Sequence, residues 1–241
     1  MGLFHFKKKK EVISETFEED LIRFLNEKNY KSTPVQLLLP ESVSLLNMDS
    51  EWKPILSLSS RKERIKKTIE YWEKYAKEFE IVIQVFKKCL VSIDTVLYDK
   101  KLTVIYTFHT KDGLLYYIGY LSQVSYENTI INKLPKPVKD FYEKIHDGFV
   151  VCFLEDMGLT PSSNIYCLGD DLIQDEFLED YSVKDTYMIF ENGGGDGIVY
   201  DVSKNPPKGF LYWHDDLDNC DFEEDPIKIM CSWMEIAIVE N

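Results

Sequence analysis

Residues 187–238 read YMIFENGGGDGIVYDVSKNPPKGFLYWHDDLDNCDFEEDPIKIMCSWMEIAI. Within and just before this stretch, TYMIFEN, GIVYDV and GFLYWHD alternate in the way that gives a strand one apolar face. Gly-rich residues 193–197 and the pair Pro206-Pro207 separate them, as turns between strands require. A dense acidic loop follows. Asp225-Pro226 then supplies an N-cap and a first helical residue. The closing helix is expected to bury Ile229, Trp233, Ile236 and Ala237 along one face. The stretch has no nucleophile–base pair, no metal-ligand spacing and no phosphate loop, so it reads as a recognition surface on a stable scaffold.

Upstream, Leu134-Pro135-Lys136-Pro137 starts a helix, since proline is tolerated in a first turn. VKDFYEKIHDG then places Val138, Phe141, Tyr142 and Ile145 on its apolar side, and Gly148 ends it. FVVCFLEDMGL reads as a strand and turn, SNIYCLGDDLI as a further strand, and QDEFLEDYSV as an acidic loop or short helix. In residues 81–121 the period is close to two. IVIQVF, CLVSIDTVLY, LTVIYTFH and LLYYIGYL are expected as β segments, with turns at Asp99-Lys100 and Lys111-Asp112-Gly113. Tyr106, Phe108, Tyr116, Tyr117 and Tyr120 lack interleaved basic residues, so cross-strand packing accounts for them better than base stacking.

Earlier still, residues 11–29 and 61–80 carry apolar residues at helical spacing. Ser59 or Ser60 is placed to cap the second of these, and Ile65, Ile69, Trp72 and Phe79 form its stripe. Residues 30–59, broken by Pro34, Pro40 and Pro54, read as an irregular connection. The start, MGLFHFKKKKE, has the wrong order of charge and apolar residues for a secretory leader, and its lysines read as a solvated tail.

Charge divides the chain. Residues 1–131 hold 20 Lys/Arg against 18 Asp/Glu, while residues 132–241 hold 8 against 24. A single-sign acidic field repels nucleic acid and speeds encounter with basic partners. The hydrophobic fraction, 44%, is enough for a packed core. The five cysteines are odd in number, widely spaced and mostly set among apolar neighbours. They read as small buried hydrophobes in a reducing compartment, and a cytoplasmic location is expected. No apolar run approaches the roughly 20 residues needed to span a bilayer, so no membrane association is expected.

The order LPKPVKDFYEKIHDGF (134–149), GGGDGIVYDV (193–202), GFLYWHDD (209–216) and SWMEIAI (232–238) resembles the SMI1/KNR4-like group, the SUKH superfamily. The resemblance covers residues 131–241. It implies an α+β domain, its mostly antiparallel sheet flanked by helices; residues 1–130, an N-terminal α+β region that runs helix then meander, are a departure from the group and their role is unassigned. It further implies a binding role rather than catalysis. Bacterial members of the group resemble immunity proteins that neutralise a cognate toxin, often a nuclease, and fungal members resemble regulatory scaffolds.

An inhibitor of that kind fills a basic cleft with carboxylates. The candidate partner-binding residues are Asp215, Asp216, Asp218, Asp221, Glu223 and Glu224, flanked by Asp225, with Asp170, Asp171, Asp175 and Glu176 as a second cluster. Tyr212 and Trp213 are candidate aromatic anchors, and one of the two is expected to face the core. Other chemistries fit less well. Asp216-x-Asp218 begins like a calcium loop, but Cys220 and Asp221 stand where a ligand and a glycine belong. The glycines at 193–197 precede a strand, not a helix, so they make a turn rather than a phosphate loop. His214 and Asp215, as strand neighbours, are expected on opposite faces. No two histidines share metal-ligand spacing. The expectation is a non-enzymatic protein, without cofactor or metal, that binds a basic protein partner. The alternative is a scaffold for cellular proteins.

Overall fold

The computed structural model describes residues 15–28, 34–47, 50–98, 101–122, 130–152, 157–171, 181–216, 220–222 and 224–240. The lysines at 7–10, the turn at 99–100 and most of the acidic run 172–180 fall outside them, as do Asp175, Glu176, Asp218 and Glu223. The fold is α+β. Its helices are α1 (Glu15–Lys28), α2 (Pro40–Leu45), α3 (Trp52–Leu56), α4 (Arg61–Tyr75), α5 (Glu80–Cys89), α6 (Lys136–Asp140), α7 (Leu168–Asp171) and α8 (Pro226–Val239). Its strands are β1 (Gln36–Leu38), β2 (Leu90–Tyr98), β3 (Lys101–His109), β4 (Leu114–Tyr120), β5 (Phe149–Val151), β6 (Met157–Leu159), β7 (Thr186–Asn192), β8 (Gly197–Asp201) and β9 (Lys208–Tyr212).

The nine strands form one open sheet in chain order, each antiparallel to the next. The sheet runs on across residue 131, where the sequence divides by charge, because Gly119 of β4 pairs with Phe149 of β5. Alternation along the strands separates two faces. On β3, Val104, Tyr106 and Phe108 enter the main core beneath α3, α4, α5 and α8, whereas Ile105 points to the other side. There Leu21 and Leu25 of α1 cover Val96, Ile105, Ile118 and Val150. Farther along that second face, Met188, Val199, Phe210 and Tyr212 build a separate cluster with Leu168, Tyr181 and Cys220. A register shift between Met188 and Phe190 turns both Ile189 and Phe190 into the main core.

Trp72 anchors the main core. It is fully buried, and Phe86, Phe149 and Phe141 present themselves to its ring at centroid distances of 4.8, 5.3 and 5.4 Å. Its Nε1 donates to the Tyr106 hydroxyl at 3.0 Å, and that hydroxyl lies 2.7 Å from Nε2 of the buried His146. The hydroxyl accepts from the indole and so links Trp72 to the imidazole of His146. Burial pushes the His146 pKa down to about 3, against the pull of the Tyr120 carbonyl. The side chain is therefore neutral over the physiological range.

Several expectations change. IVIQVF is helical, not a strand. Residues 80–89 form α5, which packs against α8 and the sheet and buries Val82, Ile83, Val85 and Phe86. The exposed Glu80, Gln84, Lys87 and Lys88 recur at helical spacing, a stripe that the window IVIQVF is too short to show. Glu80 at its start and Lys87 and Lys88 at its end complement the helix dipole. SNIYCLGDDLI makes only a bridge at Cys167, opposite Tyr187, before α7. Residues 34–59 contain β1, α2 and α3. On α8 the buried side is Met230, Cys231, Met234, Ala237 and Ile238, while Ile229 and Trp233 are partly covered and Ile236 is exposed.

Other readings hold. Ser60 caps α4 by accepting from the Glu63 N–H at 3.3 Å, and Asp225 caps α8 at Ile227 at 3.0 Å. Helix α6 continues into a wider turn over residues 141–145 and ends at His146, whose backbone is extended, two residues before Gly148 with its φ of +92°. Cys152, Cys167, Cys220 and Cys231 are buried free thiols. No helix among the described residues is long and apolar enough to cross a membrane.

Candidate functional site

The β8–β9 pairing sets Gly197 opposite Tyr212, so the turn after β7 and the chain leaving β9 meet at one end of the sheet. Tyr212 is buried in the second-face cluster. Trp213 is 38% exposed. This resolves which of the two aromatics faces inward.

Beyond Tyr212 the chain leaves the strand. The Asp216 N–H donates to the Trp213 carbonyl at 3.2 Å, closing a turn that carries Trp213, His214, Asp215 and Asp216, all exposed. The excursion is gathered again at Asp221, whose N–H and carbonyl both bond Leu211, at 3.0 and 2.9 Å. Asp221 is half-buried, and its carboxylate accepts from the Glu224 N–H at 3.4 Å. Glu224 and Asp225 are exposed at the start of α8. The base of the loop is thus held by backbone bonds, and the turn Trp213–Asp216 presents an indole among acids.

The second acidic cluster sits on α7, where Asp170 is exposed and Asp171 is the last residue. Leu168 of α7 enters the same buried cluster as Tyr212 and Cys220. Both acidic stretches are therefore rooted in one patch of core. The underlying layer is aromatic, with Phe210 lying 4.6 Å from Tyr181 and 4.5 Å from Phe222. Asp201 is fully buried beside it and accepts from the Ser182 N–H at 3.1 Å, the Ser203 N–H at 2.9 Å and the Ser203 hydroxyl at 2.6 Å. These bonds fix residue 182 to the end of β8.

The sequence reading missed Asp196. Its Oδ1 accepts from the His214 backbone N–H at 3.1 Å and lies 2.8 Å from His214 Nδ1, while its Oδ2 accepts from Asn192 Nδ2 at 3.1 Å. Burial would raise the Asp196 pKa, but the bonds from His214 and Asn192 outweigh it and hold the carboxyl below its ordinary value. The hydrogen bond to Asp196 raises the His214 pKa above 6.5, and the charge of Asp215 adds to this. His214 Nε2 lies 3.0 Å from Asp215 Oδ1. The expectation that His214 and Asp215 face apart fails because neither residue is in a strand. The available signal was the turn: Gly193 and Gly195 have φ of +81° and +97°, which folds Asp196 back toward the chain leaving β9.

In this arrangement both ring nitrogens of His214 face carboxylates, Asp196 and Asp215. Among the described residues, no group of three or more His, Cys, Asp or Glu is placed to hold a metal ion. A surface recess elsewhere, beside α4 and α5, is lined by Glu73, Lys77, Glu78, Glu80, Ile83, Gln84 and Lys87, with charges of both signs. No protein-family model, curated protein or solved structure matches this chain.

Proposed function

We propose that this chain is a non-enzymatic binding protein of SMI1/KNR4-like type. It captures a basic protein partner through the acidic corner at the end of β9. In its sharpest form the proposal is immunity: in the cytoplasm, the protein plugs the basic cleft of a cognate toxin, such as a nuclease. One observation carries it. Exposed Trp213 stands beside Asp215 and Asp216 on a loop whose base is tied by the Leu211–Asp221 bridge. An aromatic anchor in a rim of carboxylates, on a base that costs little to order, suits a cationic surface. Asp170 on α7, rooted in the same buried cluster, extends the acidic surroundings.

The test is co-purification with the product of the neighbouring open reading frame, followed by association kinetics. Asp215→Lys with Asp216→Lys should slow association by tenfold or more at low salt and flatten its dependence on ionic strength, as steering by charge demands (roughly 10- to 1,000-fold). Unchanged association in this variant would remove the surface from consideration.

A further inference from the structure

We propose that His214 is a pH-operated latch on the acidic loop. When charged, it ties Asp215 to the β7–β8 turn. When neutral, it releases Asp215 and leaves the loop with one more uncompensated carboxylate.

His214 Nδ1 is 2.8 Å from Asp196 Oδ1, and Nε2 is 3.0 Å from Asp215 Oδ1. Carboxylates only accept, and a neutral imidazole has one N–H. Nδ1 is hydrogen-bonded to Asp196 and Nε2 stands within ion-pair reach of Asp215, an arrangement that favours the imidazolium.

The two carboxylates are not equivalent. Asp196 is built in: it also receives the His214 backbone N–H and Asn192 Nδ2, and Asn192 Oδ1 in turn accepts from the Gly194 N–H at 2.7 Å. The backbone of Gly195 lies against the ring, where an added Cβ would sit 3.0 Å from Cγ and Nδ1. Asp215 is 88% exposed. When the ring loses a proton, Nδ1 keeps its own against the fixed Asp196. The Nε2 lone pair then faces a carboxylate, and the exposed partner swings away.

Among the described residues, the charged groups that face the ring are Asp196 from the β7–β8 turn and Asp215 from its own loop, with Asp216 next along the chain. From β7 and the turn, the neighbours Asn192 and Gly195 are neutral. Both acids favour the charged ring, so the latch opens above the ordinary histidine pKa of 6.5. The consequence for binding rests on the reading above: capture of a basic partner strengthens as pH rises through the latch.

Ring and amide NMR on the full chain, from about pH 5 to about pH 9, tests it without any partner. The His214 ring should titrate with a midpoint above 6.5. The Gly194, Gly195 and Asp215 amides should follow the same midpoint and lose that transition in His214→Gln. Asp215→Asn should lower the midpoint, and Asp196→Asn should lower it further. Asp215→Asn carries the decision, because its exposed site leaves folding intact. A midpoint at or below 6.5, or one unmoved by Asp215→Asn, overturns the latch. Failure of the binding surface looks different: the latch titrates as described, yet Asp215→Lys with Asp216→Lys leaves partner association unchanged.

Discussion

Trp52 and His146 stack with ring centroids 4.8 Å apart and planes 17° from parallel. The same indole donates from Nε1 to the Ile145 carbonyl at 2.8 Å. Tyr71 repeats the link, its hydroxyl donating to the Lys144 carbonyl at 2.7 Å. Two helices of the evenly charged first half thus hold the turn that follows α6 in the acidic second half.

Trp52 is 2% exposed, so Trp52→Ala leaves a cavity and an unpaired Ile145 carbonyl. The expected loss is about 3–5 kcal/mol. Denaturant unfolding followed by far-UV circular dichroism measures it. A loss under about 1 kcal/mol would mean that the cavity collapses and the link is dispensable.

His146 makes acid destabilising. Below pH 6.5 the unfolded chain takes up a proton that the folded chain refuses until about pH 3. Stability is full above 6.5 and falls as pH drops through that window, by about 1.4 kcal/mol per pH unit from this residue. In His146→Phe with Tyr106→Phe the buried rings stay packed and the titrating group is gone. Unfolding free energies at about pH 7 and about pH 5 should then differ less than in the wild type. Equal differences in the two proteins would contradict the assignment.

Gly119 is set by the same ring. A Cβ there would stand 2.4 Å from His146 Cδ2 and Nε2, closer than any real contact. Gly119→Ala must displace the imidazole or the strand, at a cost of about 1–3 kcal/mol. Adding His146→Ala should recover part of that loss, since the two changes share one space. Strictly additive losses would place the strain elsewhere.

The strands and helix of residues 187–238 are legible in sequence because each is an apolar run bounded by a strong turn or cap residue. Gly193, Gly195 and Asp225 are such signals. Residues 80–89 read as a strand only while the window stops at Phe86, since the polar stripe Glu80, Gln84, Lys87 and Lys88 that marks a helix extends past both ends of it. On α8 the expectation fails at Ile236 alone: Ala237 is buried and Ile229 and Trp233 pack partly covered against the core, while Ile236, as apolar as they are, is exposed. The Asp196–His214 pair joins residues 18 apart through a strand register that the sequence does not state. The acidic loop itself was visible in composition. What the register adds is which indole stands in it.

Tyr212 and Trp213 are adjacent yet should behave oppositely. Tyr212 is 6% exposed, within the cluster of Phe210, Met188 and Cys220, whereas Trp213 is 38% exposed. Tyr212→Ala should cost about 3–5 kcal/mol of stability, as removal of a large buried aromatic does. Trp213→Ala should change stability by no more than about 0.5 kcal/mol. Partner capture should reverse the order once folding is accounted for. Loss of an interface indole typically removes 2 kcal/mol or more, or roughly 30-fold in affinity. Thermal unfolding of both variants, read beside titration calorimetry against the co-purified partner, separates the two effects. If Trp213→Ala binds as the wild type does, the exposed indole is surface and nothing more, and the anchor must lie elsewhere on the acidic face.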